Sequence, residues 1–159
     1  MSIDPTVFRK ALGGFASGVT VVTARQEDGV PVGVTVSAFC SLSLDPPQVI
    51  YCLDNRNTNL DAYLSGGANV HILASDQSEL SNRFATPMED RFAGLEMDED
   101  RNGAPVLPGC LVRIGGTVAK VVDGGDHQIV ILRIEDAEVR DDGEPLLYLR
   151  GRYGVFAPL

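Results

Sequence analysis

Two long runs rich in β-branched residues, Leu111 to Val122 and Gln128 to Val139, flank Asp123-Gly124-Gly125-Asp126. Asp and Gly tolerate the left-handed backbone that a tight hairpin turn needs, so the two runs pair antiparallel. They exceed the ~5–6 residues of an ordinary strand and are long enough to form the principal curved ribbon of a barrel. Gly115-Gly116 inside the first run marks a bulge or the close approach of a neighbour. Parallel pairing would need crossover helices, and in this chain hairpin turns outnumber them.

The other strands follow from similar signals. Val19 to Ala24 is a β-branched run, and Glu27-Asp28-Gly29 supplies the turn before a strand that opens at Pro31 or Val32. Ala68 to Ala74 is a strand carrying His71, read as a packed, hydrogen-bonded side chain. Asp141-Asp142-Gly143 turns into a last strand, Pro145 to Leu149, and Arg150 to Gly154 forms a tail. Helices lie at the periphery. Asp4-Pro5 starts the first, in which Phe8, Ala11, Leu12, Phe15 and Ala16 recur at helical spacing until Gly18 and predict a Phe face packed on the barrel. Leu60, Tyr63 and Leu64 make a short second helix that Gly66-Gly67 stops. Asp76 and Glu79 have capping-box spacing ahead of Leu80, Phe84 and Ala85, and Pro87 breaks that helix. Met88 to Glu99 is acidic and irregular and reads as an excursion over the barrel mouth.

No repeat or linker divides the 159 residues, so residues 1–159 read as one domain with a core of its own. The formal net charge of -9 argues against nucleic acid or an anionic membrane as the main partner. Cys40, Cys52 and Cys110 are odd in number and lack ligand spacing with histidine. They indicate neither a disulfide framework nor a metal site, and they fit a reducing cytoplasm. Met1 to Pro5 leads directly into the first helical pattern with no sign of a signal peptide, and no apolar run approaches membrane-spanning length.

The stretch Gly33 to Leu53 reads as strand, hydroxyl-rich loop closed by Pro46-Pro47, then strand. Alternation along the first strand puts Val34, Val36, Ala38 and Cys40 on one face and Thr35, Ser37 and Phe39 on the other. Small hydroxyls beside loop N–H groups can receive the edge of a flat polar ligand. The same pattern also suits a half-buried strand whose Ser and Thr face water. After it, Asp54 to Asn59 is a polar strand-to-helix junction, which is either an ordinary cap or an anion seat assisted by Arg56 or Thr58.

The run Phe8 to Leu53, with Phe15-Ala16-Ser17-Gly18-Val19-Thr20-Val21-Val22-Thr23 inside it, resembles the short-chain flavin reductase family. The resemblance continues through Gly124-Gly125-Asp126-His127 and Leu146-Leu147-Tyr148 to Arg150-Gly151-Arg152-Tyr153, nearly the whole chain. It implies a mainly β fold, an antiparallel Greek-key split β-barrel (the FMN-binding split barrel) with peripheral α-helices, usually a homodimer with flavin near the subunit interface. It further implies an NAD(P)H-dependent reductase of FMN or FAD that supplies reduced flavin to a partner monooxygenase.

Hydride transfer from nicotinamide to flavin needs two stacked rings and little covalent help from the protein. Carried over residue by residue, the resemblance implies that Thr35, Val36, Ser37, Ala38 and Phe39 border the flavin ring, with Ser41, Ser43 and Cys52 near it. Asn55, Thr58 and Asn59 face the phosphate end, and Arg91 and Phe92 approach the flavin. From its own neighbours, Arg91 could equally pair with Glu89 or Asp90. His127 orients the nicotinamide, or is an exposed turn residue. Arg152 and Tyr153 take its pyrophosphate and ring, or are surface groups. No cluster of arginines suggests a 2′-phosphate site, which leans toward NADH. A flavin-binding electron-carrier or storage module, and a cofactor-free β-barrel interaction module, are the alternatives, because fold does not choose between them.

Overall fold

The computed structural model describes residues 3–159; Met1 and Ser2, on which the reading of the N-terminus partly rests, lie outside the described residues. In chain order the elements are α1 (Pro5–Leu12), β1 (Ser17–Gly18), β2 (Thr20–Arg25), β3 (Pro31–Val36), β4 (Phe39–Leu44), β5 (Pro47–Asp54) and α2 (Leu60–Tyr63). They continue with β6 (Gly67–Ile72), α3 (Ser78–Ala85), β7 (Asp98–Glu99), β8 (Pro105–Val106), β9 (Val112–Asp123), β10 (His127–Val139), β11 (Leu147–Leu149) and β12 (Arg152–Gly154).

Seven strands form one antiparallel sheet in the order β3-β2-β6-β9-β10-β5-β4. Its two edge strands, β3 and β4, are separated in sequence only by Ser37 and Ala38. Three Cα–Cα steps of ~3.8 Å let Val36 and Phe39 lie at most about 11 Å apart. Seven strands laid flat at ~4.8 Å spacing would hold the edges about 29 Å apart. The sheet therefore curls until its edges meet, giving a split barrel with its seam at Ser37-Ala38.

The barrel interior is filled by Val22, Ala24, Val32, Val36, Tyr51, Leu53, Val70 and Leu132, among others. A second cluster outside it gathers Val19, Val21, Leu73, Phe84, Phe92, Leu107 and Leu146. Alternate residues of β2 thus feed both clusters. That double burial is why its sequence is an unbroken β-branched run and not an alternating one. The β9–β10 ribbon forms as expected, its turn closed by the Gly124 N–H donating to the His127 carbonyl at 2.9 Å, with Gly125 at φ 85°. Its ladder shifts register between Ile134 and Asp136, opposite Gly116 and Gly115. A Cβ on Gly116 would strike the Arg133 carbonyl, and one on Gly115 the Asp100 carboxylate. The glycine pair thus serves both purposes, bulge and close approach.

Several sequence expectations need correction. The chain from Gly33 to Leu53 is three strands: the expected first strand breaks at the seam, and the hydroxyl-rich link is itself a strand, β4, paired to β5. Alternation is lost there, with Ser37 and Ala38 both exposed. Helix α1 is capped by Asp4, whose carboxylate accepts the Thr6 and Val7 N–H groups, but it ends at Leu12 and buries no residue. Phe8, Leu12 and Phe15 are 47%, 58% and 80% exposed, so the Phe face does not pack on the barrel of its own chain. Helix α3 starts at Ser78 with Gln77 as its cap residue, and the Asp76–Glu79 capping box does not form. Gln77 instead accepts the Ala74 N–H and donates to the Pro108 carbonyl. The tail is a turn and a further strand, with Arg150 at φ 51° and Gly151 at φ 78° between β11 and β12.

Candidate functional site

Between β3, the Asp54-to-Asn59 junction and the segment from Pro87 to Met97 lies a cavity of about 1070 Å³. Of the residues assigned to flavin from sequence, Thr58, Asn59, Arg91 and Phe92 line it, together with Arg56, Asn57 and Met88. The Arg56 guanidinium and N–H both bond the Asp54 carboxylate, at 2.6 and 2.8 Å, which holds that acid well below the usual carboxylate range. Asn59 accepts from Gln26 Nε2 at 2.9 Å, and its N–H donates to Asn57 Oδ1 at 2.9 Å. Arg91 pairs with neither Glu89 nor Asp90. It donates to the Gly33 carbonyl at 2.8 Å and the Thr86 carbonyl at 3.2 Å, while Phe92 packs edge-on against Phe84 with centroids 5.1 Å apart. Together they pin the excursion against β3. A Cβ on Gly33 would enter the Phe84 ring, so the close packing there requires glycine.

The remaining assigned residues lie outside this cavity. At the seam, Val36 is buried, Ser37 and Ala38 are exposed and Phe39 is half-buried. The Ala38 carbonyl accepts the Cys52 N–H at 3.0 Å. Ser41 is exposed and Ser43 half-buried on β4; on β5, burial and the Cys40 thiol push the Cys52 thiol up. Thr35 faces α3, and its hydroxyl donates to the Ser81 carbonyl at 2.6 Å. At the end of β5, Asn55 donates to the Gly125 carbonyl and accepts from Gln128, which ties it to the ribbon's turn. His127 stands opposite Asp54 in the ladder, with Nδ1 2.7 Å from Asp126 Oδ1. Arg152 and Tyr153 line a second cavity of about 550 Å³ with Ala16, Leu147 and Arg150.

His71 is packed as read. Its ring is fully buried, Nδ1 lies 3.2 Å from the Val21 carbonyl, and Nε2 accepts the Leu107 N–H at 3.1 Å. Burial draws its pKa down to about 4. Sequence reading overlooked Ser81 and Asn82, whose side chains both meet the Tyr153 hydroxyl. The available signal was a serine three residues before Phe84, on the face of α3 that must be buried. It also overlooked Arg113, 7% exposed and paired with Asp100, Asp136 and Glu138.

A curled antiparallel sheet with a polar-rimmed cavity between β3 and the Asp54-to-Asn59 junction, and with no dinucleotide-type phosphate loop among the described residues, defines a small split-barrel binding protein. The flavin reductase-like domain family matches residues 12–157. The reductase subunit HsaB of a flavin-dependent monooxygenase from Rhodococcus jostii is 39% identical over 159 residues, spanning 99% of this chain and 80% of that protein. An FMN reductase (NADH), SmoA, from Agrobacterium fabrum is 40% identical over 151 residues, 94% of this chain and 85% of that one. Among solved structures, the NADH:FAD oxidoreductase SgcE6 of Streptomyces globisporus, in complex with NAD and FAD fragments, superposes with a TM-score of 0.90 at 28% identity, covering 99% and 98% of the two chains. The chain belongs to the flavin reductase-like family. It is an oxidoreductase of the flavin reductase class, the class that serves as reductase component for flavin-dependent monooxygenases.

The cavity fits such a group. Its volume is that of a nucleotide-sized site. Amide and hydroxyl groups of Asn57, Thr58 and Asn59 and the guanidinium groups of Arg56 and Arg91 line it together with apolar Val32, Val34 and Met88 and the acids Asp54, Glu89 and Asp90, a mixture that offers donors to a phosphate and apolar surface to a ring.

Proposed function

We propose that this reductase takes NADH as donor and FMN or FAD as acceptor, acts as a cytoplasmic homodimer, and passes reduced flavin to a separate monooxygenase. The observation that carries the reading is the large polar-rimmed cavity between β3 and the Asp54-to-Asn59 junction. Thr58, Asn59 and Arg91 would hold the flavin's phosphate end there, with Phe92, packed on Phe84, anchoring the segment that carries Arg91. Thr35, Val36, Ser37, Ala38 and Phe39 at the seam, with Ser41, Ser43 and Cys52 on the adjoining strands, would border its ring. Asn55 would act by bracing the junction against the ribbon's turn. When bound, the flavin supplies the hydride acceptor; the chain orients the two ligands and keeps water out.

His127 would contact the nicotinamide through Nε2, because Asp126 engages Nδ1 and sets the ring. Arg152 offers a guanidinium for pyrophosphate and Tyr153 a ring face. The NADH preference draws support from the relatives whose names carry it. The exposed Phe8 and Leu12 on α1, Phe15 just after it, and Val155 and Phe156 beyond β12 give a second copy an apolar surface to cover.

The test is loss of NADH absorbance with purified protein and added FMN or FAD, with NADPH in parallel. Flavin-dependent turnover with NADH above NADPH is the expected result. Flavin binding without turnover would move the assignment to an electron carrier and strip His127 and Arg152 of these roles.

A further inference from the structure

This inference rests on the reading of β12 as the nicotinamide-binding strand. Ser81 lies fully buried in α3, on the face that carries Phe84, where an apolar side chain would ordinarily pack. Its hydroxyl has one partner, the Tyr153 hydroxyl at 2.9 Å. Tyr153 itself donates to Asn82 Oδ1 at 2.8 Å. A phenol has a single proton, so the Ser81 hydroxyl is the donor in the first bond, and the tip of the ring is held by two partners. Tyr148 meets the same ring edge-on, with centroids 5.5 Å apart. On its other side Ser81 accepts the Thr35 hydroxyl through its carbonyl, at 2.6 Å. One residue of α3 therefore joins β12 to β3, the strand that runs into the seam.

Two bonds at its tip and one contact at its edge fix the ring of Tyr153, which is still 36% exposed and able to take a ligand. We propose that Ser81 and Asn82 are positioning residues that hold the Tyr153 ring in the orientation in which it packs on bound NADH. Ser81 also sets the spacing between that ring and the flavin-bordering Thr35.

The experiment compares Ser81→Ala, Asn82→Ala, Tyr153→Phe, Tyr153→Ala and the double variant Ser81→Ala/Tyr153→Phe. Steady-state kinetics give KM for NADH and kcat, and calorimetry gives NAD⁺ affinity without turnover. Tyr153→Phe keeps the ring and removes both bonds. It and Ser81→Ala should each weaken NAD⁺ binding and raise KM by roughly three- to tenfold, the worth of an ordinary hydrogen bond. The change should fall on KM more than on kcat, and the double variant should be no worse than the poorer single, because both delete one shared contact. Unchanged NAD⁺ affinity in Tyr153→Phe, or additive effects in the double variant, would overturn the proposal. If Tyr153→Ala weakens NAD⁺ binding while Tyr153→Phe does not, the nicotinamide assignment stands and positioning fails. If Tyr153→Ala has no effect, the assignment of β12 fails and takes the proposal with it. Should Ser81→Ala not fold, Asn82→Ala, at an exposed position, and Tyr153→Phe decide the matter by the same criteria.

Discussion

Lowering the pH from about 6.5 to about 4 should remove a defined share of folding free energy through His71. The ring is buried between strands, with Nδ1–H donating to the Val21 carbonyl and Nε2 accepting the Leu107 N–H. A second proton would sit on Nε2, facing another donor in a site closed to solvent. Burial is the main cause that draws the pKa from its ordinary 6.5 to about 4. Between those values the unfolded chain binds a proton on this residue and the folded chain does not. The stabilisation is therefore complete above pH 6.5 and declines as the pH falls toward 4. At ~1.36 kcal/mol for each pKa unit the loss amounts to about 3 kcal/mol, a large part of the ~5–15 kcal/mol that holds a domain folded. Asp54 and Asp136, held low chiefly by hydrogen bonds from Arg56 and Arg113, lose their contributions only at lower pH, so the windows separate. Urea unfolding followed by far-UV circular dichroism at steps between about pH 7 and about pH 4.5 reads the effect as a falling midpoint. His71→Gln, whose amide can give and accept the same bonds without titrating, should flatten that fall. A variant that keeps the wild-type pH slope would refute the reasoning.

Gly33→Ala places a methyl group in the Phe84 ring and 3.2 Å from the Phe92 ring, so both must move. The expected cost is about 1–3 kcal/mol in urea unfolding, with weaker flavin binding because Arg91 rests on the Gly33 carbonyl. Unchanged stability would mean that the rings yield freely. Arg113→Met leaves the almost buried Asp100 unpaired and should cost about 3–5 kcal/mol. Adding Asp100→Leu should recover part of that loss in thermal unfolding, and no recovery would show that the carboxylate was not the source of the cost.

What the sequence disclosed was decided by local chemistry. The Asp-Gly-Gly-Asp turn needed left-handed backbone, the long ribbon followed from it, and Gly115-Gly116 announced its own crowding. His71 was legible as packed because a lone strand histidine has few other uses. The break at Ser37-Ala38 was not legible: alternation across Gly33 to Cys40 looks continuous, and only closure of the sheet forces a bend there. The Phe8-Phe15 face was read correctly as apolar but wrongly as covered, because periodicity reports that a face seeks burial and not what buries it. For Arg91 the neighbouring residues offered only Glu89 or Asp90 as the alternative to a flavin contact, while the bonds it makes go to carbonyls, one of them on a strand far earlier in the chain. Ser81 and Asn82 escaped because their bonds reach 72 and 71 residues along the chain, to a tyrosine that a tail should not have held.

The seam also governs where this chain can be altered. Ser37 and Ala38 are the tether that draws the two edge strands together, and each residue added to it would lengthen the reach by up to ~3.6 Å and let the edges drift. Insertions, tags or a relocated chain break at the exposed Gly124-Gly125 tip should leave the barrel closed, because the strands there are already held by their ladder, and should act only on the Asn55 brace and the setting of His127. At the seam the same insertion would turn a closed barrel into an open sheet with two unsatisfied edges, the geometry from which intermolecular strand pairing begins.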